Sequence, residues 1–536
     1  MHYGMGSWLP RRRRERDESD AALAPLALPP GPVSNGEFVP AAASAHDRAI
    51  ERAMRLLVDE AAQKSGLDRR RFLHTAGGVA ASLAAFNLAA CSTRSRSPSA
   101  GLRPAPGTSG APGETTTSAQ PGGSFIVPSP NDTVACAHAL GGNGEFIFDV
   151  HTHHVMPAGP WRRNAPETVG LVLGMAPDCG SADRLVCVDR SAYLHDLFLA
   201  SDTTVAMLTD VPNSGPADAP VPFPDMLATQ ELATQLGGPG APRLLVQNVI
   251  APNVGDLHAR LDEMTTVAHT GQVAAFKVYT AWSPTGPGWS LADPALGLPV
   301  VQHAHDLGVK VFVAHKGLPL VHFDPAHNKP EDIVAVSRQF PDMQFVVFHG
   351  GWDPHHIEGP YNANAALGID TFLAALDRHQ VPVNDNVWVD LGTVWRQLLT
   401  DPTQAAHVLG KLLKRVGEDR VLWGTDAIWY GSPQPQIMAL RAFHISTEYQ
   451  DRFGYPALTD VAKAKIFGLN AAGLFGVDPE VTRCSLASDP LQNGQALAAE
   501  MRGDGELASA WSPRGPTSRR EVLRWLAAEG SRWLPS

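Results

Sequence analysis

The sequence predicts an α/β chain folded as a (β/α)8 TIM barrel, with a disordered N-terminal extension before it and a short helical C-terminal tail after it. Three observations carry this expectation. Eight apolar runs of strand length recur between residues 144 and 477, helix-length segments alternate with them, and several runs are near-continuously apolar. Runs such as Phe146-Ile147-Phe148, Val311-Phe312-Val313-Ala314 and Phe345-Val346-Val347-Phe348 suit strands covered on both faces, as in a parallel sheet. Strands of that kind alternating with helices over ~330 residues are the pattern of a closed ring of βα units.

The elements follow in chain order. Residues 1–68 mix Pro, Ala and charge without a sustained apolar period, apart from an amphipathic stretch at 49–62 that predicts a short helix. Residues 69–91 resemble a twin-arginine export signal ending in a lipoprotein box. The stretch opens Arg69-Arg70-Arg71-Phe72-Leu73, continues as a Gly/Ala-rich apolar run, and ends Leu88-Ala89-Ala90-Cys91. A basic region, an apolar run short for a mature membrane span, and small residues before the cut site agree with that resemblance. It implies a lipidated Cys91 and an exported, membrane-tethered protein of the cell envelope. The alternative is an ordinary buried or amphipathic helix, which would leave the protein in the cytoplasm. The motif lies far from Met1, and a start at Met54 would give a shorter basic region. Residues 92–143, rich in Ser, Pro, Gly and Thr, read as a flexible linker and entry segment.

The barrel proper is expected at 144–477. Its strands are predicted at 146–151, 204–211, 243–251, 273–280, 309–315, 344–349, 387–390 and 421–426. Helices are predicted at 223–236, 254–268, 294–307, 330–340, 362–378 and 402–415, with a closing helix at 459–475. The long, Pro/Gly-rich connection after the first strand is expected to fold over the mouth as a lid. In the tail, 478–536, Ser518 is placed to cap an amphipathic helix carrying Val522, Leu523, Trp525 and Leu526.

A formal charge of −11 with no basic stripe in the barrel argues against a nucleic-acid partner and leaves a small molecule as the expected ligand. The five cysteines, Cys91, Cys136, Cys179, Cys187 and Cys484, form no CxxC pair, so they do not carry the chemistry. Cys179 and Cys187, in the long first connection, suit a disulfide in an exported protein.

Metal-binding side chains do carry it, because each falls at or just past the C-terminal end of a predicted strand, the catalytic face of a βα barrel. The first strand ends His151-Thr152-His153, and residues i and i+2 of an extended segment point the same way. The fifth strand ends on His315, the sixth on His349-Gly350-Gly351, and the eighth on Gly424-Thr425-Asp426. Nitrogen and oxygen donors converging from four strand ends suit zinc or another borderline divalent ion. Lys277 ends the fourth strand. Trp161, Arg162, Arg163, Trp282, Trp352 and Trp429 follow strands and are placed to line the mouth or to pack its loops.

The stretches Asp149-Val150-His151-Thr152-His153, Val313-Ala314-His315, Val347-Phe348-His349-Gly350-Gly351, Leu422-Trp423-Gly424-Thr425-Asp426 and 465–476 resemble the amidohydrolase superfamily. The resemblance is to its amidohydrolase-related branch, which includes aminocarboxymuconate-semialdehyde decarboxylase, and covers about 144–477. It implies that His151, His153, His315 and Asp426 bind a divalent metal, with zinc the expected ion and one or two ions present. It also implies that His349 supports developing charge or binds a second ion, and that Asp426 takes the proton from the attacking water. Some members carry a carbamylated lysine at the position of Lys277 that bridges two metals. Others have an unmodified lysine there, and a snorkelling or ion-paired lysine is the plain reading. The function so implied is metal-dependent hydrolysis of a C–N or C–O bond in a small molecule. Non-oxidative decarboxylation of a small aromatic or enoic acid is the alternative within the branch. A non-catalytic tethered binding lipoprotein is the alternative from another class.

Overall fold

The computed structural model describes residues 26–31, 33, 43–92, 121–142, 144–176, 181–237, 242–319 and 323–486. Ten strands are found among them. β1 (Gly123–Phe125) and β10 (Phe443–Ile445) make a two-stranded antiparallel pair. The other eight are β2 (Phe148–Thr152), β3 (Val205–Leu208), β4 (Leu244–Val249), β5 (Val273–Val278), β6 (Val311–His315), β7 (Gln344–Phe348), β8 (Val387–Asp390) and β9 (Val421–Leu422).

These eight pair in sequence order, and every pairing is parallel. The ring closes where the chain beyond β9 meets β2. Val150 N–H donates to the Trp423 carbonyl at 3.0 Å and Asp426 N–H to that of His151 at 2.8 Å, followed by a parallel bridge between Thr152 and Ala427. The expected (β/α)8 barrel is therefore the fold, and each predicted strand has its counterpart.

Alternation along the strands explains the continuous apolar runs. Val205, Met207, Ala275, Val313, Val346, Phe348, Trp388 and Leu422 share one buried cluster inside the ring. Their neighbours Phe276, Val278, Phe312, Ala314, Phe345 and Val347 belong to a second cluster shared with the surrounding helices. Both faces of each strand are covered, so neither can be polar.

The helices fall where the apolar period placed them. Phe223–Gly237, Leu257–Ala268, Gly297–Asp306, Glu331–Ser337, Ile369–Arg378 and Pro402–Arg415 surround the sheet. Asp256 and Asp401 cap two of them by accepting from backbone N–H groups of the first turn. The closing helix runs from Asp460 to Phe475 with a π-helical stretch at Lys465–Leu469. Asn470 binds it to β9 by donating to the carbonyls of Glu418 and Val421 at 2.8 Å each.

Before the barrel, helix Ala45–Ser65 starts on a Ser44 capping box and packs against helix Ala76–Ser92. The latter is the apolar part of the segment that resembles an export signal. Its Val79, Leu83 and Phe86 are fully buried in the main apolar cluster. Asn87 donates to the carbonyl of Phe125 and accepts from its N–H, so one carboxamide serves β1 as a strand partner would. Among the described residues no helix is long and apolar enough to cross a membrane. Cys187 is disulfide-bonded. The Cys91 side chain, Cys179 and the tail helix expected after Ser518 lie outside what the structure describes.

Candidate metal centre

A register shift in β2 sets the centre up. Phe148 and Val150 sit in the cluster inside the barrel, so strict alternation would turn His151 outward. The pairing of β2 with β3 slips between Asp149 and Thr152, and His151 comes round to the inside. Bulges of this kind re-aim side chains beside active sites. Asp149 holds the distorted turn: its Oδ1 accepts from the N–H groups of His151 and Thr425 at 3.1 Å each, and its Oδ2 accepts from the Thr425 hydroxyl. The carboxylate thus fastens the end of β2 to the chain leaving β9.

Inside the mouth, His151, His153 and Asp426 meet with one donor atom each, all within 4.8 Å of one another. Asp426 Oδ1 is 3.2 Å from His153 Nε2 and 3.6 Å from His151 Nε2. Its Oδ2 accepts from Thr393 Oγ1 at 2.7 Å. Asp426 and Thr393 both adopt a positive φ, 62° and 58°, a strained backbone state that aims each side chain across the mouth. His151 lies flat on the ring of Phe348, 3.9 Å between centroids, and His153 faces Trp429 at 5.6 Å.

Asp390, at the end of β8, was not singled out from the sequence. Its Oδ2 is 2.9 Å from His151 Nδ1, and its Oδ1 accepts from the His349 N–H at 2.6 Å. With Nδ1–H directed at that carboxylate, His151 turns the lone pair of Nε2 towards Asp426 and His153. A carboxylate behind a ligating imidazole fixes ring and tautomer in this way. Two glycines make room for the contact. A Cβ at Gly392 would stand 2.6 Å from both Asp390 Oδ2 and His151 Nδ1, and one at Gly424 would stand 2.6 Å from the same carboxylate oxygen.

His349 belongs to the same place. It too has a positive φ, 63°, and its Nδ1 is 2.8 Å from the carbonyl oxygen of Gly392. A carbonyl only accepts, so Nδ1 carries the proton and Nε2 presents a lone pair. That Nε2 is buried with no hydrogen-bond partner among the described residues. His151, His349 and Asp390 form a second group of atoms within 4.8 Å. His315 stands outside both groups. Its ring is 4.6 Å from that of His349 and 5.1 Å from Tyr279, and its Nε2 is 3.0 Å and 3.2 Å from the carbonyls of Gly317 and Leu318. Lys277 stands in the middle: its Nζ is 3.4 Å from His151 Nε2 and lies over the rings of Tyr279 and Phe348 at 4.7 and 4.6 Å.

The electrostatics favour a cation. Burial, reinforced by Lys277 and the neighbouring imidazoles, holds His151 and His315 well below the usual histidine range. Burial also lowers His153, and it brings His349 down to about 4. Neutral imidazole is the form that binds metal. Burial pushes Asp426 up, but its contacts with His153, His349 and Thr393 outweigh it and hold the carboxylate below its ordinary range. Neutral nitrogens around an ionised carboxylate, with an unpartnered buried Nε2 beside them, fit a divalent ion.

The aromatic and basic residues predicted at the mouth divide. Trp161 is buried in the loop cluster with Val155, Leu185 and Tyr193, its Nε1 on the Met156 carbonyl. That cluster includes Ala427, Ile428 and Trp429, so the connection after β2 does lie against the mouth. Arg162 and Arg163 are exposed, and Arg162 pairs with Asp183. A cavity of about 400 Å³ between β3, β4 and their following helices is lined by Asp210, Asn248 and Glu263 among others, and by none of the predicted metal residues.

A family model described as Amidohydrolase matches residues 148–477. Among solved structures the chain is similar to a probable 2-pyrone-4,6-dicarboxylic acid hydrolase from Acinetobacter baumannii, with 13% identity, 62% of this chain and 99% of that chain covered, and a TM-score of 0.38. It is also similar to 5-carboxyvanillate decarboxylase from Sphingomonas paucimobilis, with 12% identity, the same 62% and 99% covered, and a TM-score of 0.41. For 2,6-dihydroxybenzoate decarboxylase from Rhizobium the figures are 14% identity, 62% and 99% covered, and a TM-score of 0.36. No curated protein matches. The matched span opens on β2, ends with the closing helix and takes in every residue of the centre, so the chain belongs to the amidohydrolase family.

Proposed function

We propose that the chain is a metal-dependent hydrolase that cleaves a C–N or C–O bond of a small molecule with a metal-activated water. The observation behind this reading is the convergence of His151 Nε2, His153 Nε2 and Asp426 Oδ1 at the catalytic mouth. These three residues would hold the ion. When bound, a divalent metal lowers the pKa of a water to ~7 and polarises a carbonyl. Asp426 stays ionised across the neutral range and is the group that takes the proton from the attacking water and returns it to the leaving group. Thr393 fixes the plane of that carboxylate, and Asp390 fixes the ring of His151. His349 offers a lone pair rather than a proton, which suits it to hold an ion or accept a proton. Lys277 governs the ion count: as an ammonium it disfavours a second cation, and as a carbamate it would bridge two.

Elemental analysis of the purified chain, with turnover on a panel of amides, esters and lactones, tests the reading. Bound metal at one or two equivalents is expected. Asp426→Asn should lose on the order of a thousandfold in kcat while its melting temperature holds. Carbon dioxide released from a carboxylated substrate, with nothing on the panel hydrolysed, would replace this reading by a decarboxylase. A metal-free, inactive chain would replace it by a binding protein.

A further inference from the structure

The cavity between β3, β4 and their following helices is too large and too polar at one point to be a packing defect. Its volume of about 400 Å³ lies within the range of about 300–1,000 Å³ that small-molecule pockets occupy, whereas interior voids larger than a water are few. Its walls are the loop after β3, the start of helix Phe223–Gly237, the last two residues of β4 and the second half of helix Leu257–Ala268. Pro224, Thr266 and Thr270 line it and are exposed, so the space opens to solvent. Asn248, in the opposite wall, is only 6% exposed, and its Nδ2 is buried with no hydrogen-bond partner among the described residues. A buried donor left unmade costs more than an apolar group of the same shape. The chain nevertheless ends an apolar strand on a carboxamide.

The other polar groups of the wall are committed elsewhere. Asn213 Nδ2 donates to Asp210 Oδ2 at 3.1 Å and to the Val211 carbonyl at 3.0 Å, and its Oδ1 accepts from the Gly215 N–H at 3.0 Å. Asp210 Oδ1 accepts from the Val211 N–H at 2.9 Å, so this loop is set before any ligand arrives. Glu263 Oε2 accepts from Arg260 Nη1 at 2.7 Å. Burial pushes both carboxyls up, Asp210 well above its ordinary range, so the wall offers a cation little charge. Ala219, Val221, Met226 and Val267 are buried around the same space. A water held there needs about two to four polar partners and finds Asn248 Nδ2 against apolar neighbours. An apolar body with one acceptor meets both demands. The metal centre lies one layer away: the Asp210 carbonyl accepts from the Tyr279 hydroxyl at 3.1 Å, and the Tyr279 ring stacks on His315.

We infer that this cavity is a second binding site, separate from the metal centre, for a neutral and largely apolar small molecule whose carbonyl or other acceptor takes the proton of Asn248 Nδ2. Titration of the full-length chain with acetophenone, by calorimetry and thermal shift, tests the site. Acetophenone has no bond for a hydrolase or a decarboxylase to cleave, so the result stands whether or not the hydrolase reading does. It should bind the wild type and raise its melting temperature. Ethylbenzene, which keeps the shape without the acceptor, should bind about tenfold more weakly, and 1-phenylethylamine, a cation at neutral pH, more weakly still. Asn248→Leu removes an unpartnered donor, so the variant should fold at least as stably and bind acetophenone no better than ethylbenzene. Thr266→Trp, at an exposed helix position on the rim, should block both ligands, and it serves as the second variant if the leucine chain folds poorly. Acetophenone binding that survives Thr266→Trp and is lost in His153→Ala would put the ligand at the metal centre and overturn the site. Binding unchanged in both cavity variants would overturn it as well. So would equal binding of acetophenone and ethylbenzene by the wild type, tighter binding of the amine, or no binding of acetophenone up to its solubility limit.

Discussion

The residues of the centre divide by how they can be found. His151, His153, His349 and Asp426 stand out because a metal-binding side chain at a strand end is an unusual choice for a packed barrel. Asp390 obeys the same rule, ending the run Val387–Asp390, but a lone aspartate there reads equally as a turn residue. Its role appears only when folding brings β8 beside β2 and sets its Oδ2 at 2.9 Å from His151 Nδ1. Thr393 carries no pattern at all, since its role depends on a φ of 58°. The role of Asp390 can be measured. Burial pushes the Asp390 carboxyl up to about 8, so Asp390→Asn keeps the shape and changes chiefly the hydrogen-bonding group behind the imidazole, and metal affinity should fall about 10- to 100-fold. Competition against a chelator reads that loss, and affinity within twofold of the wild type would show that Asp390 does not orient His151.

At the scale of elements, the barrel was legible because a strand buried on two faces has to be apolar throughout. The ends of strands were less so. The eighth run was expected at 421–426, yet β9 pairs only over Val421–Leu422, because the glycine and the left-handed Asp426 that follow bend the chain into the mouth. The shift in β2 was equally hidden, since Asp149 acts on residues far away in sequence. The N-terminal hairpin posed a different problem: a Gly/Ala-rich apolar run reads alike as a signal or as a helix with a tightly packed face. In the structure Gly77 and Gly78 permit that packing. A Cβ at Gly77 would stand 2.7 Å from the Pro130 carbonyl, and one at Gly78 would stand 2.7 Å from the carbonyls of Phe72 and Leu73. Phe86 meets Phe125, which contacts Trp395 and Phe443, so the hairpin supports helix Val394–Leu398, which follows Thr393. A chain beginning at residue 93 would expose this aromatic surface. We expect it to bind a hydrophobic dye and to melt at least ~10 °C lower, given that each large side chain uncovered forfeits about 1.5–3 kcal/mol. An unchanged melting temperature would mean that the hairpin is dispensable, as cleavage before Cys91 would require. The intact mass of protein recovered from its native source would then show which form persists.

Across the whole molecule, polar groups buried far from the centre tie the layers together. Lys411, on helix Pro402–Arg415, reaches Glu358 at 2.7 Å and Asp370 at 2.6 Å, all three nearly inaccessible. Replacing it by Met would strand two carboxylates, and a loss of about 3–5 kcal/mol is expected in chemical unfolding. Lys463 works against the fold in a pH-dependent way. It is 5% exposed, its Nζ donates to the Arg441 carbonyl at 2.7 Å, and burial brings its pKa from 10.5 down to about 8 although Asp460 pulls the other way. Between pH 8 and 10.5 the unfolded chain therefore holds a proton that the folded chain has released. Stability from this group rises with pH across that window, and below pH 8 both states are protonated and the penalty is constant. Lys463→Met removes the penalty together with one hydrogen bond. At pH 7 the variant should equal or exceed the wild type, and the wild type should gain on it by about 1–3 kcal/mol by pH 10. Denaturant unfolding of both chains at intervals from pH 7 to 10 measures the difference, in which the other titrating lysines and tyrosines cancel. A difference that stays flat would show that Lys463 keeps its proton in the folded chain, with the Arg441 carbonyl and Asp460 together offsetting its burial.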